Sequence, residues 1–330
     1  MTLPRAAADG ARAFRAATPP EGPHAPERTA WTARLGPLAL HGQIWYRLLL
    51  TGASLLPPWG RGAAIEALAG AAYLFLGRIR AAVAANLEPV LGRCTRREAA
   101  GRAWRTIRAF TWCFGERLER LAGRGGDRFR FENREAWSRA LRSGRGVILA
   151  TGHVGNWESA APLAAAGGSG SVHLVREAEP DRRTQTLLAR ALERGAGGGV
   201  RVRYAGEPGL GVSLLAALRR GEVVAVQADR PPAAGRTIVA RLFGRPFPLP
   251  EGPLALARAS GAPLLPVFSF REGDRRYCVS FRSPIAVADT PDRAADVAAA
   301  AARLAREIEW AILRAPHQWF CPRRVWESAG

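Results

Sequence analysis

From residue 146 onward, short apolar runs alternate with longer amphipathic stretches, and this alternation limits the folds open to the chain. The runs predict strands at 147–151 (VILAT), 172–176 (VHLVR), 201–205 (RVRYA), 223–228 (VVAVQA), 237–242 (TIVARL), 263–270 (PLLPVFSF) and 277–281 (YCVSF). The stretches between them predict helices over 156–166, 181–194, 209–220 and 252–260, and a long helix over 291–314. Strand–helix–strand alternation with continuously apolar strands implies an α/β fold, a mostly parallel central sheet flanked by helices. Such sheets bind their ligands beyond the carboxyl ends of the strands.

The upstream third reads differently. Residues 97–122 form an amphipathic helix, with Ala103, Ile107, Phe110 and Phe114 at helical spacing. Residues 31–80 are apolar but interrupted by Arg47, Pro57-Pro58 and Glu66. Neither apolar segment there reaches the ~18 clean residues of a membrane span. Trp31, Trp45 and Trp59, flanked by arginines, suit a membrane interface; the competing reading is a pair of core helices. Residues 1–30 lack the apolar run of a secretory signal and have the composition of a disordered tail. The expected organisation is a tail over 1–30, N-terminal membrane-associating helices over 31–125, and a catalytic α/β region over 126–330 continuous with them.

The formal net charge is +20, and all 48 basic residues are arginine. Such charge suits nucleic acid or an anionic membrane. The arginine excess accompanies abundant alanine and glycine, a chain-wide coding bias that weakens a nucleic-acid reading; no zinc-finger, helix-turn-helix or RNA-recognition pattern supports one. Four scattered cysteines form no CxxC and no zinc spacing. No metal or bound cofactor is expected.

The chemistry concentrates at "TGHVGNWE", residues 151–158. His153 falls just past a predicted central strand. Gly152 and Gly155 allow a tight turn and close approach of a substrate. Asn156 is placed to cap the following helix, and Glu158 to fold back on the imidazole and orient it as a base. Backbone N–H groups around Gly152–Asn156 are candidate oxyanion donors. No serine or cysteine adjoins His153, and no GxSxG elbow occurs. The simplest chemistry is direct transfer, without a covalent intermediate.

The HxGNWE form of this segment resembles the HxxxxE motif of the late lipid A acyltransferases (lauroyl/myristoyl transferase-like), in the lysophospholipid acyltransferase superfamily. Further segments are similar in order: "RIRAAVAANLEPVLG", "VHLVREAEP", "GEVVAVQADRP", "ARLFGRPFPLPEGPLALARASGAPLLPVF" and "APHQWFCPRRVW". Pro231 stands where many of these enzymes carry the second Asp of a DxD. The resemblance implies a glycerolipid acyltransferase-like fold and an O-acyltransferase at the cytoplasmic face of the bacterial inner membrane, peripheral or monotopic. The acyl donor would be a thioester of acyl carrier protein (acyl-ACP) or CoA, and the acceptor a hydroxyl of a membrane glycolipid or lysophospholipid. His153 and Glu158 would be catalytic; Gly155, Asn156, Arg176 and Asp229 would support substrate or oxyanion. The apolar helices of 40–120 are the expected walls of an acyl groove. A basic nucleic-acid-binding protein and a non-catalytic lipid-binding relative are the alternatives.

Overall fold

A computed structural model describes residues 43–124, 126–159, 164, 170–179, 181–231 and 235–326. The expected N-terminal tail lies outside them. Four helices come first: α1 (Gln43–Leu55), α2 (Pro58–Phe75), α3 (Gly77–Leu91) and α4 (Arg96–Leu121). The α/β region follows as β1 (Arg128–Glu132), α5 (Arg134–Leu141), β2 (Val147–Thr151), β3 (Val172–Arg176), α6 (Arg182–Gly195), β4 (Val200–Tyr204), α7 (Leu210–Arg219) and β5 (Val223–Gln227). It ends with β6 (Thr237–Leu242), β7 (Arg245–Pro250), α8 (Gly252–Ser260), β8 (Leu264–Gly273), β9 (Arg276–Phe281) and α9 (Arg293–Arg314).

Seven strands form one sheet in the order β1-β9-β8-β2-β5-β3-β4. Only the β8–β9 hairpin is antiparallel; every other pairing is parallel, as the alternation predicts. β2 is the middle strand and is buried along its whole length. Its pleat divides the core. Ile148 and Ala150 join Val224 under α7, α8 and α9, while Val147 and Leu149 join Val172, Ala225 and Leu265 under α5 and α6.

Two strands escape the sequence reading. β1, RFRFE, has charges on alternate positions because it is an edge strand beside β9. β7, RPFPLP, has prolines at every second position, an unpromising strand pattern. It pairs only with β6, in a two-stranded antiparallel ribbon separate from the main sheet. Prolines on alternate positions leave the intervening residues to serve the ladder, and Phe247 and Leu249 between them are fully buried. The run 237–242 is therefore a strand, but of this ribbon.

The helical layer is tied to the sheet by α4. Thr95 and Glu98 close its start with a reciprocal capping box. Near its end, buried Glu116 accepts from Arg271 on β8 (2.8 Å), from the Arg275 backbone N–H (3.2 Å) and from the Tyr277 hydroxyl on β9. A buried carboxylate needs such complete pairing to be tolerated. On the outer side of the layer, Leu48, Leu55, Trp59, Leu74, Phe75 and Leu76 are exposed. Among the described residues no single helix is long and apolar enough to cross a membrane. The pair Trp59–Phe75 and Gly77–Leu91, bent by 89°, meets that test only together, by length and composition.

Candidate active site

β2 and β5 lie side by side in parallel, so their carboxyl ends emerge together. The Ala228 N–H still reaches the Thr151 carbonyl at 2.8 Å, and the next residue, Asp229, falls beside the turn that follows β2. That turn needs its glycines. A Cβ on Gly152 would stand 3.1 Å from the Asp229 side chain. Gly155 has φ +55°, and a Cβ there would sit 2.1 Å from the Ser269 carbonyl oxygen.

His153 and Asp229 are both buried. The His153 ring Nδ1 lies 2.7 Å from Asp229 Oδ1, and the His153 backbone N–H donates to Asp229 Oδ2 at 2.7 Å. The Trp319 indole N–H donates to the same Oδ2 at 3.1 Å. Burial works to raise the Asp229 carboxyl, but the charge and hydrogen bonds of His153 outweigh it and hold the group below its ordinary range. An ionised Asp229 holds the proton on Nδ1, so whenever the ring is neutral Nε2 is the proton acceptor.

Glu158 does not orient His153. It lies in a single 3₁₀ turn, Trp157–Ser159, and turns toward α4 and β3. There it accepts from Arg117, through Nε and at 3.2 Å through Nη2, and stands 3.6 Å from Arg176 Nη1. Burial pushes Glu158 upward, yet Arg117 and then Arg176 overcome it and hold the carboxyl down to about 2. Five residues from His153, the 3₁₀ turn has carried the carboxylate onto the arginines before it can fold back on the ring.

The other expected site residues also find particular places. The Asn156 side-chain oxygen accepts from Arg120 at 2.9 Å. Most of the expected helix 156–166 lies outside the described residues. The candidate oxyanion donors are largely engaged. His153 N–H is on Asp229, Gly155 N–H on the Gln318 carbonyl (2.9 Å) and Asn156 N–H on the Ser269 carbonyl (3.0 Å). Gly155 and Asn156 thus shape the turn, and Asp229 is an acceptor that serves His153. Arg176 bridges Glu158 and Glu179, the latter at 3.2 Å. Tyr46 on α1 stands in the same field; burial, then Glu179, pushes its hydroxyl upward.

Beside this cluster a cavity of about 310 Å³ opens between the sheet and helices α7 and α8. Ile148, Val175, Leu214, Val224, Val226 and Leu256 give it an apolar lining, and Arg176 and Arg230 bring charge to it. This cavity lies beneath the sheet's carboxyl end, apart from the helices of 40–120 that were the expected walls of an acyl groove.

Sequence reasoning missed Arg117, Trp319 and Asn86. Arg117 had a signal: it continues the stripe of Ala103, Ile107, Phe110 and Phe114 at the next helical step, where a charge must find a buried partner. Trp319 and Asn86 sit in segments that carry the family resemblance, but nothing local in the sequence assigns their hydrogen bonds. Arg323 of the closing RR is near Asn86 only through its carbonyl oxygen, which accepts from Asn86 Nδ2 at 2.7 Å.

Together, a mostly parallel sheet and a buried histidine–carboxylate pair past its middle strand give the chain the frame of an α/β enzyme. Residues 36–328 match the family model described as bacterial lipid A biosynthesis acyltransferase, and the chain belongs to that family. It is an acyltransferase, with lipid A-like substrates as its general class. A comparison with curated protein sequences finds no match.

Proposed function

We propose that the protein transfers a fatty acyl chain from a thioester of acyl carrier protein or CoA to a hydroxyl of a lipid A-type glycolipid. The observation that carries the mechanism is the buried His153–Asp229 pair at the carboxyl end of β2. Nε2 of His153 takes the acceptor hydroxyl's proton while that oxygen attacks the thioester carbonyl carbon. The tetrahedral oxyanion collapses, the C–S bond breaks, and the imidazolium returns the proton to the leaving thiolate. Asp229 keeps Nδ1 protonated and stabilises the transient imidazolium; such a base contributes roughly 10²–10⁴-fold.

Direct transfer is favoured over an acyl-enzyme. His153 is flanked by Gly152 and Val154, and Cys321, whose thiol lies in the field of Asp229, is buried. Burial, then Asp229, pushes that thiol well above its ordinary range, so it stays protonated and a poor nucleophile. The cavity beneath the carboxyl end of the sheet suits the acyl chain, with Arg176 toward the polar end of the thioester. The acidic carrier protein, phosphopantetheine and an anionic leaflet would all be drawn to a chain of charge +20. The exposed Leu55, Trp59, Leu74 and Phe75 of α1 and α2 support peripheral or monotopic seating on the cytoplasmic face of the inner membrane.

The test is mass spectrometry of membrane lipids from cells with and without the gene. A glycolipid one acyl chain heavier is expected only with the gene. If His153→Ala produces it equally well, His153 is not the base. If no lipid changes mass, the substrate assignment fails.

A further inference from the structure

We propose that Trp319 is a positioning residue for the base: its indole N–H locks the Asp229 carboxylate in the orientation that serves His153. The inference rests on His153 acting as the base. Asp229 uses its two oxygens differently. Oδ1 takes the ring Nδ1, its one hydrogen-bond partner among the described residues, whereas Oδ2 accepts from two N–H donors, the His153 backbone at 2.7 Å and the Trp319 indole at 3.1 Å. Two donors converging on one oxygen oppose rotation of the carboxylate about its Cβ–Cγ bond. The plane that results keeps Oδ1 on the imidazole. The indole N–H also shares the negative charge of Asp229, which limits how strongly that carboxylate favours the imidazolium over the neutral base.

Trp319 can do this because the segment around it is fastened on both sides. Val154 and Trp319 form an antiparallel bridge, and the Phe320 N–H donates to the His153 carbonyl at 2.8 Å. The Gln318 side chain reads the Arg271 backbone in both directions, accepting from its N–H at 2.8 Å and donating to its carbonyl at 2.9 Å. Farther along, Asn86 on α3 donates to the carbonyls of Cys321 (3.1 Å) and Arg323 (2.7 Å) and accepts from the Val325 N–H (3.1 Å). Trp319 itself is among the largest fully buried side chains and meets Trp326 edge-on at 6.0 Å. The other ionisable groups in the field of Asp229 are Arg230, next in the chain, and the Cys321 thiol. Glu158 is occupied by Arg117 and Arg176.

Trp319→Phe keeps the aromatic bulk and removes the donor. The expected result is a fall in kcat of about ten- to a hundredfold, the size of losing a hydrogen bond to a charged group, with KM for the acyl donor unchanged. Without the indole the Asp229 charge is less shared, so the acidic limb of the pH–rate profile moves to higher pH. A variant that melts lower but keeps the wild-type kcat and pH profile would overturn the proposal, since packing alone predicts that pattern. A second measurement needs neither a variant nor turnover. In the intact chain labelled with ¹⁵N-tryptophan, one of the ten indole N–H signals is expected to exchange slowly and to move as the His153 ring titrates. If no indole signal does so, the indole does not report on the pair and the proposal fails, whether or not the chain proves to transfer acyl groups as proposed.

Discussion

His153 and Asp229 stand 76 residues apart in the chain and are joined twice, ring to Oδ1 and backbone N–H to Oδ2, each at 2.7 Å. The double link makes Asp229 more than a counter-charge. It fixes the tautomer of the ring and the turn that carries the ring.

Asp229→Asn should therefore remove most of the base function while leaving the fold in place. An amide cannot hold a negative charge beside the imidazolium, and it can present the wrong group to Nδ1. Loss of the equivalent partner in a serine-protease triad costs about 10⁴-fold in kcat, and a drop of roughly 10²–10⁴-fold is expected here. Single-turnover acyl transfer measures it. Activity within a few-fold of wild type would return the orienting role to another group.

Glu158 should behave as a stability residue first. Its carboxyl ordinarily titrates at 4.5 and is held near 2 in the fold, so the unfolded chain binds the proton more readily. The stabilisation is complete above about pH 4.5 and is lost as pH falls toward 2, on the order of 3 kcal/mol in all. Acid unfolding of wild type against Glu158→Gln checks this. The variant should be less stable at neutral pH by about 3 kcal/mol, because Arg117 keeps a buried charge without its partner, and it should lack this part of the acid dependence.

Gly155→Ala should damage the site more than its size suggests. The added methyl would meet the Ser269 oxygen at 2.1 Å, and the backbone holds φ at +55°. The turn must move, and with it the bridge to Trp319 and the His153 ring. A loss of more than about 1 kcal/mol in stability is expected, together with a fall in kcat. Thermal melting and turnover measured side by side would show both; an unaffected variant would mean that the turn is looser than its contacts imply.

Filling the cavity should shorten the acyl chain that is used. Leu214 and Leu256 line it from α7 and α8. Leu256→Trp adds bulk there without touching His153 or Asp229. Competition between short and long acyl thioesters should shift toward the shorter donor, by roughly tenfold if two or so methylenes lose their place, at about 0.8 kcal/mol each. An unchanged ratio would place the acyl chain elsewhere.

Much of the architecture was legible in the chain because its causes are local. Continuous apolar runs such as VILAT and VVAVQ become buried parallel strands, and their alternation with amphipathic helices sets the layers. The prolines of β7 and the charges of β1 hid those strands, since their patterns make sense only beside one partner, β6 or β9. At the site, the turn with His153, Gly152 and Gly155 was readable because glycine next to a strand end is a local backbone requirement. The partner of His153 was not. Two carboxylates were candidates for site roles, Glu158 five residues away and Asp229 just past the end of another strand. Strand order puts β5 beside β2 and so brings Asp229 to the ring, while the 3₁₀ turn carries Glu158 to Arg117. Neighbourhood across a sheet is fixed by how whole strands pack, and periodicity along one segment holds no record of it. The sequence by itself thus determined the sheet, the turn and the histidine; tertiary packing decided which carboxylate serves that histidine, and which tryptophan holds the carboxylate.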